Sequence, residues 1–205
     1  MGYIEFRNSL KRFTVFSYPD ILKIDPSFDR RRLVEWQQKN YIRKIRNGYY
    51  TFEDTEITES VLLQISNSIY KPSYISLESA LSFYNLIPEG VYMITGVSTR
   101  KTCSFNTPVA NFKFRNIKES LFFGYNIIQE NNHTIKIATP EKAVLDYLYY
   151  KMINSLNELE GLRINTLIAN DILDKDLINR FLTEYHSRIM EKRVKLFLNY
   201  LNAES

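Results

Sequence analysis

Between Arg30 and Arg46 the chain carries seven basic side chains (Arg30, Arg31, Arg32, Lys39, Arg43, Lys44 and Arg46) and one acid, Glu35. Lysine and arginine clustered in this way suit phosphate neutralisation, the main source of sequence-independent affinity for DNA. Their spacing suggests how they would be presented. Asp29 or Ser27 can cap a helix that turns Leu33 and Trp36, with neighbouring Val34, inward and leaves Arg30, Arg31, Gln37 and Gln38 facing out. Asn40 is a helix terminator, and residues 41–46 and 49–52 then flank Asn47-Gly48, the preferred pair for a type I′ hairpin turn. Ile42 and Ile45 do not alternate cleanly with the charges, which leaves the hairpin register open. A basic helix followed by a basic hairpin is the layout of a winged helix-turn-helix, which places a helix in the DNA major groove. In that layout Arg30, Arg31, Arg32, Gln37 and Gln38 are the helix candidates for DNA contact. Arg43, Lys44, Arg46 and Asn47 are the hairpin candidates, better suited to phosphate or the minor groove. The competing reading is a charged solvent face that serves protein contact only.

Other chemistry is sparse. Six scattered glycines make no phosphate-cradling loop. His133, His186 and Cys103 do not form a zinc pattern. Cys103 follows Arg100-Lys101-Thr102, a cationic run beside a thiol, but no His or Asn partner is identifiable from spacing. Asp171, Asp174 and Asp176 could be read as a metal cluster, yet helix capping accounts for them better. Lys192, Arg193 and Lys195 read as a solvated helix face. No enzyme activity, metal or cofactor is expected.

The elements that would position the basic cluster divide the chain by charge. Residues 1–55 hold 11 basic and 7 acidic side chains, and residues 56–205 hold 16 of each, so the net charge of +4 lies entirely in the first quarter. That asymmetry suggests a nucleic-acid module joined to a neutral domain with a different task. The expected boundaries are residues 1–55 and 57–205. Ser17, Pro19 and Asp20 mark a helix start and Asp25-Pro26-Ser27 its end. Ile57, Val61, Leu62, Ile65 and Ile69 recur at helical spacing, Pro72 breaks that run, and Ser76 can cap a further helix through Tyr84. Strands are expected over residues 91–97, around Phe112 and Phe114, and as a hairpin pair over 121–128 and 134–138 turning at Asn131-Asn132. Thr139-Pro140-Glu141 starts a helix that is apolar nearly all round and therefore buried, and two helices near 174–185 and 187–201 close the chain. The expected fold class is α+β, with a winged helix-turn-helix followed by a mixed α/β domain built on a small, mainly antiparallel sheet flanked by helices. One cysteine, no signal-like opening and no apolar run of membrane length suggest a cytoplasmic protein without membrane contact.

The segment IRKIRNGYY (residues 42–50) resembles the wing of AbiEi-type antitoxins, the antitoxin half of bacterial AbiE toxin–antitoxin and phage-defence systems. KPSYISLESALSFYNLIPEGVYMIT (71–95), STRKTCSFNT (98–107), FFGY (122–125) and IATPEKAVLDYLYY (137–150) resemble that family's pattern in order and spacing, whereas residues 155–205 match little of it. The resemblance implies an N-terminal winged helix that represses its own operon by binding inverted repeats in double-stranded promoter DNA. It also implies a C-terminal antitoxin domain that counters a nucleotidyltransferase toxin encoded nearby, by type IV antagonism that needs no stable complex. Glu78, Tyr84, Arg100, Lys101, Glu141 and Asp146, taken as exposed polar members of these motifs, become the candidate antitoxin surface. The alternative is a transcription regulator whose second domain dimerises or senses a ligand, with no toxin partner.

Overall fold

The computed structural model describes residues 1–88, 93–130 and 133–203. It opens with a helix not anticipated from the sequence, α1 (Tyr3–Leu10), started where the Gly2 N–H donates to the Glu5 carboxylate at 3.3 Å. Phe6 and Leu10, one turn apart, point inward and are fully buried. β1 (Phe16–Ser17), α2 (Tyr18–Ile24), α3 (Arg31–Gln38), β2 (Ile42–Arg46) and β3 (Tyr49–Phe52) follow. Ser17 and Asp20 form a reciprocal capping box at the start of α2, with Pro19 in its first turn. The Asp29 carboxylate accepts the Arg31 N–H at 2.9 Å and so starts α3. Asn40, at φ 53°, ends the helix as expected.

The three strands make an antiparallel sheet in the order β1-β3-β2. Phe6 is the hub of the apolar cluster beneath it. Its ring centroid lies 4.5 Å from Trp36, 5.4 Å from Phe16, 5.8 Å from Phe28 and 6.0 Å from Phe52. Val34 does not join Leu33 and Trp36 inside; it is 56 % exposed, because one residue step turns a helix by about 100° and carries it off the buried stripe.

The hairpin departs from the expected type I′ turn. Only Gly48 adopts a positive φ, 82°, and Asn47 does not. The register slips between Lys44 and Arg46, making Ile45 the extra residue of a bulge. That bulge explains the imperfect alternation: Ile42 and Ile45, three apart, are both buried.

The remaining described elements are α4 (Glu59–Ile69), β4 (Tyr74–Ile75), α5 (Glu78–Phe83), β5 (Met93–Ser98), β6 (Cys103–Asn106), β7 (Asn111–Asn116), a 3₁₀ turn at Glu119–Leu121, β8 (Tyr125–Glu130), β9 (His133–Ala138), α6 (Pro140–Tyr150), α7 (Leu156–Glu160), α8 (Thr166–Ile172), α9 (Lys175–Thr183) and α10 (Arg188–Ala203). The Asn131-Asn132 turn and the first two residues of the expected 91–97 strand lie outside the described residues. Thr58 and Thr139 cap α4 and α6 through their hydroxyls. Ser76 caps nothing: α5 begins after Leu77, held at φ 59°, and the Ser76 hydroxyl is turned into the interior.

The second sheet has six strands in the order β6-β7-β5-β4-β9-β8. It is larger and more mixed than expected, because β5 with β7 and β4 with β9 pair in parallel. The cause is non-local. β6 folds back on the outer side of β7 as a hairpin, which leaves β7 to enter beside β5 running the same way. Helices α4 and α5 pack on strands of this sheet, and α6 contacts α5, α9 and α10. The chain is thus a mixed α+β protein with ten α-helices among the described residues, a small antiparallel sheet and a larger mixed one. No helix among the described residues is long and apolar enough to cross a membrane.

Gly96 on β5 sits at a close approach within the larger sheet. A Cβ there would stand 2.9 Å from the Tyr74 carbonyl oxygen and 3.2 Å from the buried Phe114 ring. Backbone on one side and a packed ring on the other leave nothing free to move. We expect Gly96→Ala to destabilise the fold by about 1–3 kcal/mol in urea denaturation; an unchanged midpoint would refute this contact.

Candidate functional site

The first candidate is the basic surface on α3 and the hairpin. Arg31, Arg32 and Gln38 are exposed along α3, and Lys44 is exposed on β2. None of the Arg31, Arg32 and Lys44 side chains has a hydrogen bond or ion pair of its own among the described residues. Arg30 is exposed just before α3, its guanidinium resting 5.3 Å from the Tyr18 ring centroid. Asn47 is exposed in the turn. These groups are available to a ligand as they stand.

Four other members of the cluster are committed. The Gln37 amide donates to the Leu33 carbonyl at 2.7 Å. Lys39 pairs with Glu35 at 2.6 Å across one helical turn. Arg43 pairs with Glu53 across the sheet. Arg46 donates to the Ile69 carbonyl at 2.8 Å, at the end of α4, and its guanidinium sits 3.8 Å above the Phe105 ring. Arg46 is therefore a strut between the two sheets rather than a free surface cation. Ile45 acts with it, since it belongs to the apolar cluster of the second sheet although it lies on a strand of the first. A third link joins Thr14, His133 and Gln64: the His133 Nδ1 lies 3.0 Å from the Thr14 hydroxyl and 2.9 Å from the Gln64 side-chain oxygen.

The second candidate is the proposed antitoxin surface, and the structure corrects it. Glu141 is 5 % exposed and Asp146 is fully buried, so neither presents a surface. Both face inward because α6 is enclosed by neighbouring elements on all sides along residues 141–148. Glu141 accepts the Asp174 N–H at 3.2 Å, tying α6 to the start of α9. Tyr84 is partly buried, its hydroxyl donating to the Ala138 carbonyl at 2.8 Å. Burial, reinforced by Glu141, pushes its phenol up to about 12. Glu78 is partly buried and pairs with Lys151 at 3.2 Å. Only Arg100 and Lys101 are exposed. Arg100 lies over the Tyr70 ring at 4.7 Å and donates to the Lys71 carbonyl, while the Lys101 carbonyl accepts the Tyr70 hydroxyl at 2.6 Å. Asp174 caps α9 by accepting the Asp176 and Leu177 N–H groups, which accounts for it without a metal.

Around Asp146 the structure assembles a polar centre of which sequence reasoning found one member. The Lys142 ammonium, fully buried, donates to Asp146 Oδ1 one turn along α6. It also donates to the Tyr185 hydroxyl at 2.8 Å and is flanked by the Phe123 and Tyr185 rings at 4.9 and 5.1 Å. The Tyr74 and Ser76 hydroxyls donate to Asp146 Oδ2 at 2.9 and 2.8 Å. Burial, followed by the nearby carboxylate, raises the Tyr74 and Tyr185 phenols far above their ordinary value, so they act as neutral donors. Burial also lowers the Lys142 ammonium, opposed by Asp146. A lysine and an aspartate four apart on an otherwise apolar helix were the available signal for this pair. Nothing local pointed to Tyr74 or Tyr185, which lie 72 and 39 residues from Asp146. Both oxygens of Asp146 are hydrogen-bonded and the carboxylate is closed off from solvent, so the centre ties β4, α6 and the segment before α10 together.

No model of a known protein family matches this chain, and no curated protein matches it.

Removing one charge of the buried pair should cost far more than removing both. Asp146→Asn leaves the Lys142 ammonium without its counter-charge in the interior, and we expect a loss of about 3–5 kcal/mol in urea denaturation. In Lys142→Met/Asp146→Asn the amide oxygen still accepts from Ser76 and Tyr74, and most of that loss should be recovered. A double variant no more stable than the single one would show that the pair is not the source of the effect.

Proposed function

We propose that residues 1–55 are a winged helix-turn-helix that binds promoter DNA, and that the protein is an autorepressing antitoxin whose remaining residues counter a nucleotidyltransferase toxin encoded nearby. The observation that carries the DNA half is the order helix, strand, helix, helix, strand, strand, closed as a β1-β3-β2 sheet, with Arg31 and Arg32 exposed on the helix that precedes the hairpin. A helix in that place enters the major groove by its N-terminal half, where Arg31 stands. Lys44 on the hairpin supplies a phosphate contact. Arg43 and Arg46, held by Glu53 and by Ile69, set the hairpin's position instead of touching DNA. The antitoxin half rests on the resemblance of residues 71–150 to AbiEi-type antitoxins, with Arg100 and Lys101 as the exposed members of those motifs. Cytoplasmic location accords with both activities.

Mobility shifts with the DNA upstream of the gene test the first half. Affinity should fall with salt at a log–log slope of about −0.9 per phosphate neutralised. Arg31→Ala should cost about 1–3 kcal/mol and relax sequence preference, whereas Lys44→Ala should weaken all DNA about equally and reduce the slope by about one unit. Absence of binding by the full chain at low salt would overturn this half.

Co-expression with the neighbouring toxin tests the second half. The full chain should restore colony formation, and so should Arg31→Ala, because the antitoxin role does not pass through α3. Failure of the unaltered chain to rescue would remove the antitoxin reading and leave DNA binding standing.

A further inference from the structure

An open cleft of about 530 Å³ lies between α4 and β9, and its chemistry is one-sided. Among its lining residues are Gln64, Asn67, Lys71, Ser73, Thr134 and Lys136, and none of the described lining residues is acidic. Three carbonyl groups along this wall are already engaged. Pro72 accepts from the Ser98 hydroxyl at 2.6 Å, Lys71 from Arg100 at 3.3 Å, and Lys136 from the Asn67 amide at 3.2 Å. Asn67 also accepts the Lys136 N–H at 2.7 Å, which fixes it against β9.

Two side-chain acceptors are engaged as well. The Gln64 oxygen faces His133, so its NH₂ is left over. The Thr134 oxygen accepts from Gln129 at 2.8 Å, so its own O–H is left over. The Lys71 and Lys136 ammonium groups are exposed and have no ion pair among the described residues. What remains for a ligand includes the Gln64 NH₂, the Thr134 O–H and two positive charges.

Left-over donors beside two lysines without ion pairs favour an anion rich in acceptor oxygens and of high charge density. The cleft's volume falls in the range of small-ligand sites, roughly 300–1,000 Å³. We propose that this cleft binds the phosphate groups of a small phosphorylated ligand of nucleotide size, with Lys71 and Lys136 as the charge partners and Thr134 and Gln64 as neutral donors. The site lies on the second sheet and stands whether or not residues 1–55 bind DNA.

Calorimetric titration of the full chain with inorganic pyrophosphate tests it. The unaltered protein should bind, and Lys71→Gln/Lys136→Gln should raise the dissociation constant about tenfold or more. Lys192→Gln/Lys195→Gln removes the same charge from α10 and should leave binding unchanged. No binding by the unaltered protein at roughly millimolar pyrophosphate, where a two-lysine site should already show heat, would overturn the proposal. Equal weakening by both lysine pairs would overturn it too, as an effect of net charge. A parallel titration with duplex DNA separates the sources of phosphate. Loss of DNA affinity on changing Lys71 and Lys136, with no pyrophosphate binding, would assign the cleft to nucleic acid and overturn the small-ligand proposal.

Discussion

A carboxylate with no access to water has to be answered from every side, and in this protein that requirement organises the second sheet. Asp146 is fully buried and takes hydrogen bonds from Lys142 on its own helix, from Tyr74 on β4, from Ser76 just after β4 and from Tyr185 ahead of α10. Leaving an ionised group unpaired in a low-dielectric interior costs several kcal/mol, so a packing that misplaces any of these segments carries a penalty that an apolar contact would not impose. The result is a directional constraint in a core otherwise held by non-directional burial. It fixes the rotation of α6, whose apolar surface alone would allow several. It also brings the C-terminal helices to the same point as β4.

The junction between the two sheets follows a different logic. Ile45 reaches across because a bulge displaces it from the hairpin's alternation, and Arg46 follows by combining a carbonyl contact at Ile69 with the face of Phe105. Thr14, His133 and Gln64 add a polar link elsewhere on the same boundary. These contacts bear on how a DNA-reading unit would behave, since they set the angle of the hairpin against the second sheet. They also redistribute the charge. Of the seven basic residues between Arg30 and Arg46, Lys39, Arg43 and Arg46 are engaged in internal contacts, which leaves Arg30, Arg31, Arg32 and Lys44 to define the exposed electrostatic surface. Charge clustering in a sequence therefore overstates the charge that a partner meets.

What is legible locally has local causes. The helix start at Ser17, the stop at Asn40, the Thr139-Pro140 start and the alternation of Phe112 and Phe114 each depend on residues within a few positions of one another. The buried character of α6 was legible for the same reason, since apolar side chains recur all round it. The misses are of another kind. α1 shows only Phe6 and Leu10 as inward positions among polar neighbours, too short a stripe to announce a helix. Asn47-Gly48 carries the preferred pair for a type I′ turn, yet the bulge at Ile45 supplies the twist and the turn takes another form. Glu141 and Asp146 looked like surface acids because acids usually are.

The sequence by itself determined most of the helix starts and strand positions, and it placed the whole excess of positive charge within residues 1–55, because composition and short-range periodicity are properties of the chain. Only the tertiary structure decided which of those charges stay free, which acid is buried, that β7 runs parallel beside β5, and that donors from α4, β9 and the 71–73 segment converge on one cleft. Each of these depends on residues tens of positions apart meeting in space, and the free energy of such a meeting is set by burial and pairing that no local window contains.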